Sequence, residues 1–162
     1  MWRPTSLHAA ALLAGALAAC AGTMPASLEL RRVVAVVPGL RGHALAVDVH
    51  DRTEGRIFPL AALRVREVLE DALEGGGVHV QRDAPVRLRI EIGELEIDPG
   101  GWSFGACISI GASYLAEGIA PLHAVGRDCA VEGDGRDASR AAIQGAVVDL
   151  VRSMGSWQPT PG

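Results

Sequence analysis

The residue types that could carry chemistry in this chain are few and scattered. Its 162 residues include three cysteines and five histidines. The histidines stand at His8, His43, His50, His79 and His123, with no paired spacing among them, no HExxH and no CxxC, so no metal or cofactor site is expected. GxSxG, a P-loop and a GxGxxG that follows a strand are likewise missing. The glycines of "DPGGWSFG" (98–105) open a strand rather than a helix, so they make no phosphate cradle. Glu91, Glu94 and Glu96 line the polar side of one segment, and grouped carboxylates can run acid–base chemistry. Here they alternate with Arg87 and Arg89 and read as a solvated face. Asp51 and Arg52 read as a turn with a local ion pair. His123 can approach Cys129 but reads as a solvated strand residue. Trp102 and Phe104 are either a patch for a partner or a membrane surface, or a plug at a strand start, and the plug is the simpler account.

The N-terminus speaks more clearly. Arg3 and the terminal amine precede an apolar stretch of 11 residues, Ala9 to Ala19, which ends at Cys20. A helix needs roughly 20 apolar residues to cross a bilayer core of about 30 Å, so this stretch is too short to span and fits the core of a signal peptide. Leu17-Ala18-Ala19-Cys20 resembles the lipobox of bacterial lipoproteins. That resemblance implies cleavage between Ala19 and Cys20, a diacylglyceryl group on the Cys20 thiol and an acyl group such as palmitate on the new amino terminus. Each buried methylene contributes ~0.8 kcal/mol, and two or more chains anchor stably where one does not. Ala21 stands where inner-membrane retention uses aspartate, which implies the outer membrane, facing the periplasm. An ordinary secreted protein with a chance cysteine is the alternative. Residues 20–27, "CAGTMPAS", read as a lipidated tether.

The rest of the chain must build one domain, 28–154. Hydrophobic residues make up 49% of the sequence, enough for a core, and the net charge of -4 gives no basic face for nucleic acid. All 15 basic residues are arginine, which reads as compositional bias. "LELRRVVAVV" (28–37) is rich in β-branched residues and stops at Pro38-Gly39, so it predicts a strand. "ALAVDVHD" (44–51) alternates as a half-buried strand. "PLAALRVREVLEDALEGGG" (59–77) changes to helical period between Pro59 and a run of glycines. "VRLRIEIGELEI" (86–97) is a strand whose apolar phase slips at Gly93, the signature of a β-bulge. Residues 98–105 read as a glycine-rich loop, and 106–133 as two strands that turn near Gly118. A helix then begins after Asp134 or Asp137 and runs to Met154, and 155–162 read as a loose tail. The order ββαβββα predicts an α+β fold, with a mainly antiparallel sheet and two helices on one face.

The hairpin decides what Cys107 and Cys129 do. Both lie 11 residues from Gly118, hence opposite each other. Opposed residues have Cα atoms roughly 4.5–5.5 Å apart, which a disulfide accepts. A bridge on the exposed face is expected in an oxidising compartment. The alternative is two buried, reduced thiols.

The order of "ALAVDVHDRT", "LRVREVLEDALEGGGV", "VRLRIEIGELEI", a hairpin and "ASRAAIQGAVVDLVRSM" resembles the YajG-like lipoproteins of Gram-negative bacteria, across about residues 28–154. More distantly it is similar to auxiliary lipoproteins of lipid-transporting ABC systems. The resemblance implies an outer-membrane lipoprotein and supplies no catalytic residues. The expected function is therefore a non-enzymatic, periplasm-facing module that binds an envelope protein. The alternatives are an accessory subunit for transport of lipid or cell-wall material and, more remotely, a cell-wall hydrolase.

Overall fold

The computed structural model describes residues 28–53 and 58–160. The signal segment 1–19, the tether 20–27, the cleavage point at Ala19 and the lipidation residue Cys20 lie outside the described residues. The fold is α+β. Its elements are β1 (Ala44–Asp51), α1 (Ala61–Gly75), β2 (His79–Val80), β3 (Arg87–Gly100), β4 (Ser103–Leu115), β5 (Leu122–Glu132) and α2 (Gly135–Met154). The strands form one sheet in the order β2-β1-β3-β4-β5. β1 runs parallel to β2 and β3, whereas β3–β4 and β4–β5 are antiparallel, so the sheet is mixed. The parallel part is a consequence of α1, which carries the chain back across the sheet between β1 and β3.

The segment 28–37 corrects the expected strand order. It alternates as a strand would, with Val33, Ala35 and Val37 buried and Val34 and Val36 exposed. Yet it pairs with no strand among the described residues. Its apolar side is buried against helices instead of extending a sheet. Gln144 on α2 accepts from the backbone N–H of Arg31 and donates to its carbonyl. Gly76, just past α1, and Gly155, just past α2, lie against the carbonyls of Ala35 and Val36. β-propensity reflects fit to a half-buried extended surface, and a helix groove can supply one. The strand beside β1 is instead the short β2.

Both helices cover the same face of the sheet. α1 buries Ala61, Val65, Leu69, Ala72 and Leu73. α2 buries a longer stripe from Ala138 to Met154. The Asp134 carboxylate caps α2 by accepting from the N–H groups of Arg136 (2.7 Å) and Asp137 (3.3 Å). Among the described residues no helix is long and apolar enough to cross a membrane.

The C-terminal residues also depart from expectation. The tail from 155 is not loose at its start: Trp157 is buried and meets Tyr114 edge-on, with ring centroids 6.3 Å apart. The backbone N–H of Trp157 donates to the Met154 carbonyl, which folds the residue back onto the core. The physical cause is the large apolar area of an indole, which polar neighbours in sequence do not offset.

The bulge expected at Gly93 is present, because Ile92 pairs with Ile110 but Leu95 pairs with Ile108. Gly93 lies so close to Ser109 that a β-carbon would be 2.8 Å from its carbonyl oxygen. Beyond the bulge, β3 and β4 continue to Gly100 and from Ser103, so the glycine-rich 98–105 is two strand ends around a tight Gly101-Trp102 turn rather than a loop. β1 pairs only as far as Ile92, so this hairpin forms an arm past its end.

Candidate functional site

One face of the sheet carries both helices; the other is open. Strand alternation sends Ile108, Ile110, Ala112 and Tyr114 into the core and Cys107, Ser109, Gly111 and Ser113 to the open side. The partners of the second set on β5 are Cys129, Arg127, Val125 and His123. The turn centred on Gly118 fixes all four pairs at once. Cys107 and Cys129 are joined by a disulfide, with S–S 2.13 Å and Cα atoms 4.1 Å apart. The bridge lies in an open cleft of about 510 Å³ bordered by Glu94, Glu96, Ser109 and Arg127.

The charged groups of this face largely neutralise one another. Glu91 accepts from Arg52 (2.7 Å) and Arg89 (3.0 Å), and Asp48 accepts from Arg87 (2.8 Å). Arg52 therefore pairs across to β3, not with Asp51 as the local reading expects. Asp51 instead accepts from the N–H and hydroxyl of Thr53. The three carboxylates do not form one group, since Glu91 is tied to arginines while Glu94 and Glu96 border the disulfide cleft.

His123 bonds Ser113 at 2.9 Å rather than approaching Cys129. Sequence reasoning missed this pair, although both residues are equidistant from Gly118, the rule that pairs the cysteines. A serine with a histidine is the start of a nucleophile site. Among the described residues no carboxylate hydrogen-bonds to the ring, and both residues sit on regular ladder positions of an open face. Among the described residues no group of three or more His, Cys, Asp or Glu is placed to hold a metal.

Among the described residues two titrating groups are shifted. Burial raises the Tyr114 phenol above its usual range; its hydroxyl lies 3.3 Å from the His43 ring. Burial also raises the Glu70 carboxyl, with Arg66 and Arg82 pulling the other way. Glu70 lines a second cleft of about 410 Å³ between α1 and β1, among Leu63, Arg66, Glu67 and Arg82.

Trp102 and Phe104 part company. Phe104 packs against the core, and Gly135 at the start of α2 lies against its ring. Trp102 is fully exposed, at 100%, so it plugs nothing. It sits in the turn beyond the last strand pair, where none of the described elements passes over it.

No family model and no curated protein matches the chain. Solved structures do resemble it in fold. A crystal structure from Xanthomonas campestris, of family DUF330, aligns at 18% identity and TM-score 0.55, over 79% of this chain and 91% of that one. A PelC dodecamer from Paraburkholderia phytofirmans aligns at 15% identity and TM-score 0.43, over 74% and 92%. Lipoprotein GNA1162 from Neisseria meningitidis aligns at 10% identity and TM-score 0.39, over 54% and 83%. At these identities what is shared is the fold, and the Xanthomonas protein is the one among the three whose overlap is high enough to carry that statement.

Proposed function

We propose that this chain is a lipoprotein held to the outer membrane through Cys20, and that its domain is a non-enzymatic binding module facing the periplasm. The open sheet face supports this reading. It is largely polar, crossed by neutralised ion pairs and braced by a disulfide, and among the described residues it presents side chains on regular strands without a nucleophile that is both activated and sheltered. Such a surface suits a protein partner in the envelope. The fold shared with the Xanthomonas DUF330 protein is compatible with this reading, and the lipobox at Leu17-Ala18-Ala19-Cys20 is what carries the anchor. An accessory subunit that carries lipid directly calls for an apolar groove between sheet and helix. The cleft between α1 and β1 is lined by Arg66, Glu67, Glu70 and Arg82, which disfavours that version.

The test is photo-crosslinking in cells from positions 109 and 127 on the open face, with position 148 on α2 as the control. Recovery of one envelope protein from the first two positions supports the module. Equal, unspecific labelling from all three counts against it.

A further inference from the structure

Trp102 is the exception among the aromatic side chains of the described residues. Phe58, Tyr114 and Trp157 are buried to 4% exposure or less, and Phe104 is packed on the core. An isolated exposed apolar residue needs no account, but a fully exposed indole at the tip of an arm does. The tip is a narrow turn, with Gly101 at φ 52°, so it can enter a soft layer without the domain moving. Two more exposed apolar residues flank the same end of the arm, Val131 at 69% and Ile97 at 41%.

The path of the chain says what lies there. Glu29 and Arg31 border a cleft with Glu132, Asp137 and Arg140. Glu132 is the strand partner of Phe104, two residues from Trp102. From Arg31 the segment runs along α2 toward its C-terminal end, as the Gln144 clamp on Arg31 and the Gly155 contact with Val36 show. Leu28 therefore lies at the end of the molecule that carries the hairpin tip. The eight residues from Cys20 to Ser27 reach at most about 25–30 Å when fully extended.

We propose that the β3–β4 tip, led by Trp102, rests in the headgroup layer of the same membrane that holds the lipid anchor, a proposal that rests on the lipoprotein reading. Indole suits that layer because its ring is apolar and its N–H can stay hydrated. The surroundings choose the lipid. Asp98, Glu132, Asp134 and Asp137 outnumber Arg136 and Arg140 around the tip, so the matching surface has zwitterionic rather than anionic headgroups. With anchor and tip both engaged, the domain stands upright and its open face points sideways, clear of the bilayer.

The test uses the full chain, processed in cells, purified in detergent and reconstituted in phosphatidylcholine vesicles with brominated acyl chains. Trp2 lies ahead of the cleavage point, so mature protein carries only Trp102 and Trp157. Bromine is expected to quench roughly half of the tryptophan emission, since one indole of the two lies in the interface. The quenched part should be shifted to the blue and be absent from Trp102→Phe. A chain whose Cys20 carries no lipid by mass spectrometry overturns the lipoprotein reading and this proposal with it. A lipidated chain that floats with the vesicles, yet shows no quenching, overturns the proposal alone. A blue shift without bromine quenching assigns the tip to a protein contact and overturns it equally.

Discussion

A β-carbon added to Gly126 would lie 2.1 Å from the carbonyl oxygen of Ala146 and 2.3 Å from the backbone nitrogen of Leu150. β5 and α2 thus meet backbone to backbone at this point, opposite the buried Ile110 of β4. Neither neighbour is a flexible side chain, so the helix must lift to admit a methyl group. Gly126→Ala should cost roughly 1–3 kcal/mol or more. Gly111→Ala is the control, because a β-carbon there meets nothing within 4 Å. It should be neutral or slightly stabilising, since glycine is the poorer strand residue. Urea unfolding of the two variants decides the matter; equal midpoints would contradict the close approach.

The disulfide spans 22 positions of sequence. On the chain-entropy account, closing a loop of that size stabilises by about 3 kcal/mol. Its loss should therefore lower stability without dissolving the ladder, which pairs β4 and β5 on both sides of the bridge. Cys107→Ser with Cys129→Ser should keep a native far-UV spectrum and unfold at a lower urea concentration. Wild type treated with dithiothreitol should match the double variant. Non-reducing mass spectrometry that finds two free thiols in the mature protein would end this argument.

Trp157 closes the far end of the core from Trp102. Its ring lies edge-on to Tyr114, and its carbonyl is in close contact with the backbone of Gly39, in the 3-10 turn Pro38–Leu40. Trp157→Ala should cost roughly 3–5 kcal/mol, the range for removing a buried aromatic. Deleting residues 157–162 should cost about as much, whereas Gln158→Ala, at an exposed neighbour of Trp157, should cost nothing measurable. Thermal melts of the three variants check the order.

Much of this fold can be read from periodicity, and the failures have definable causes. β1, the helix from Ala61, the bulge at Gly93 and the Cys107–Cys129 pairing follow from local pattern and one turn centre. The parallel pairing of β1 with β3 does not, because alternation says which face a residue takes but not which strand it lies beside. Residues 28–37 show the same limit, for Val33, Ala35 and Val37 alternate correctly yet pack on helices. Trp157 was hidden by the polar, proline-rich residues around it. Trp102 was misread because a glycine-rich stretch fits a loop as well as a tight turn, and only the turn leaves the indole outside. The Ser113–His123 pair was legible from the same arithmetic as the disulfide, but no motif drew attention to it.

Glu70 makes stability depend on pH. Burial holds its carboxyl above the ordinary value of 4.5, against the pull of Arg66 and Arg82, with Glu74 and Asp71 adding to the rise. The folded chain thus keeps this proton to higher pH than the unfolded chain does. The relative stability from that difference is fully present below the unfolded value and is lost as pH climbs through the folded one. At neutral pH, then, ionised Glu70 is a net cost, and Glu70→Gln should be more stable than wild type. The advantage should shrink as pH falls through the carboxylate range and vanish below about 4, where both side chains are neutral. Urea midpoints of the pair, measured from pH 3 to pH 8, trace this directly. If Glu70→Gln is the less stable protein at pH 7, the attraction to Arg66 and Arg82 outweighs the burial, and the sign assigned here is reversed.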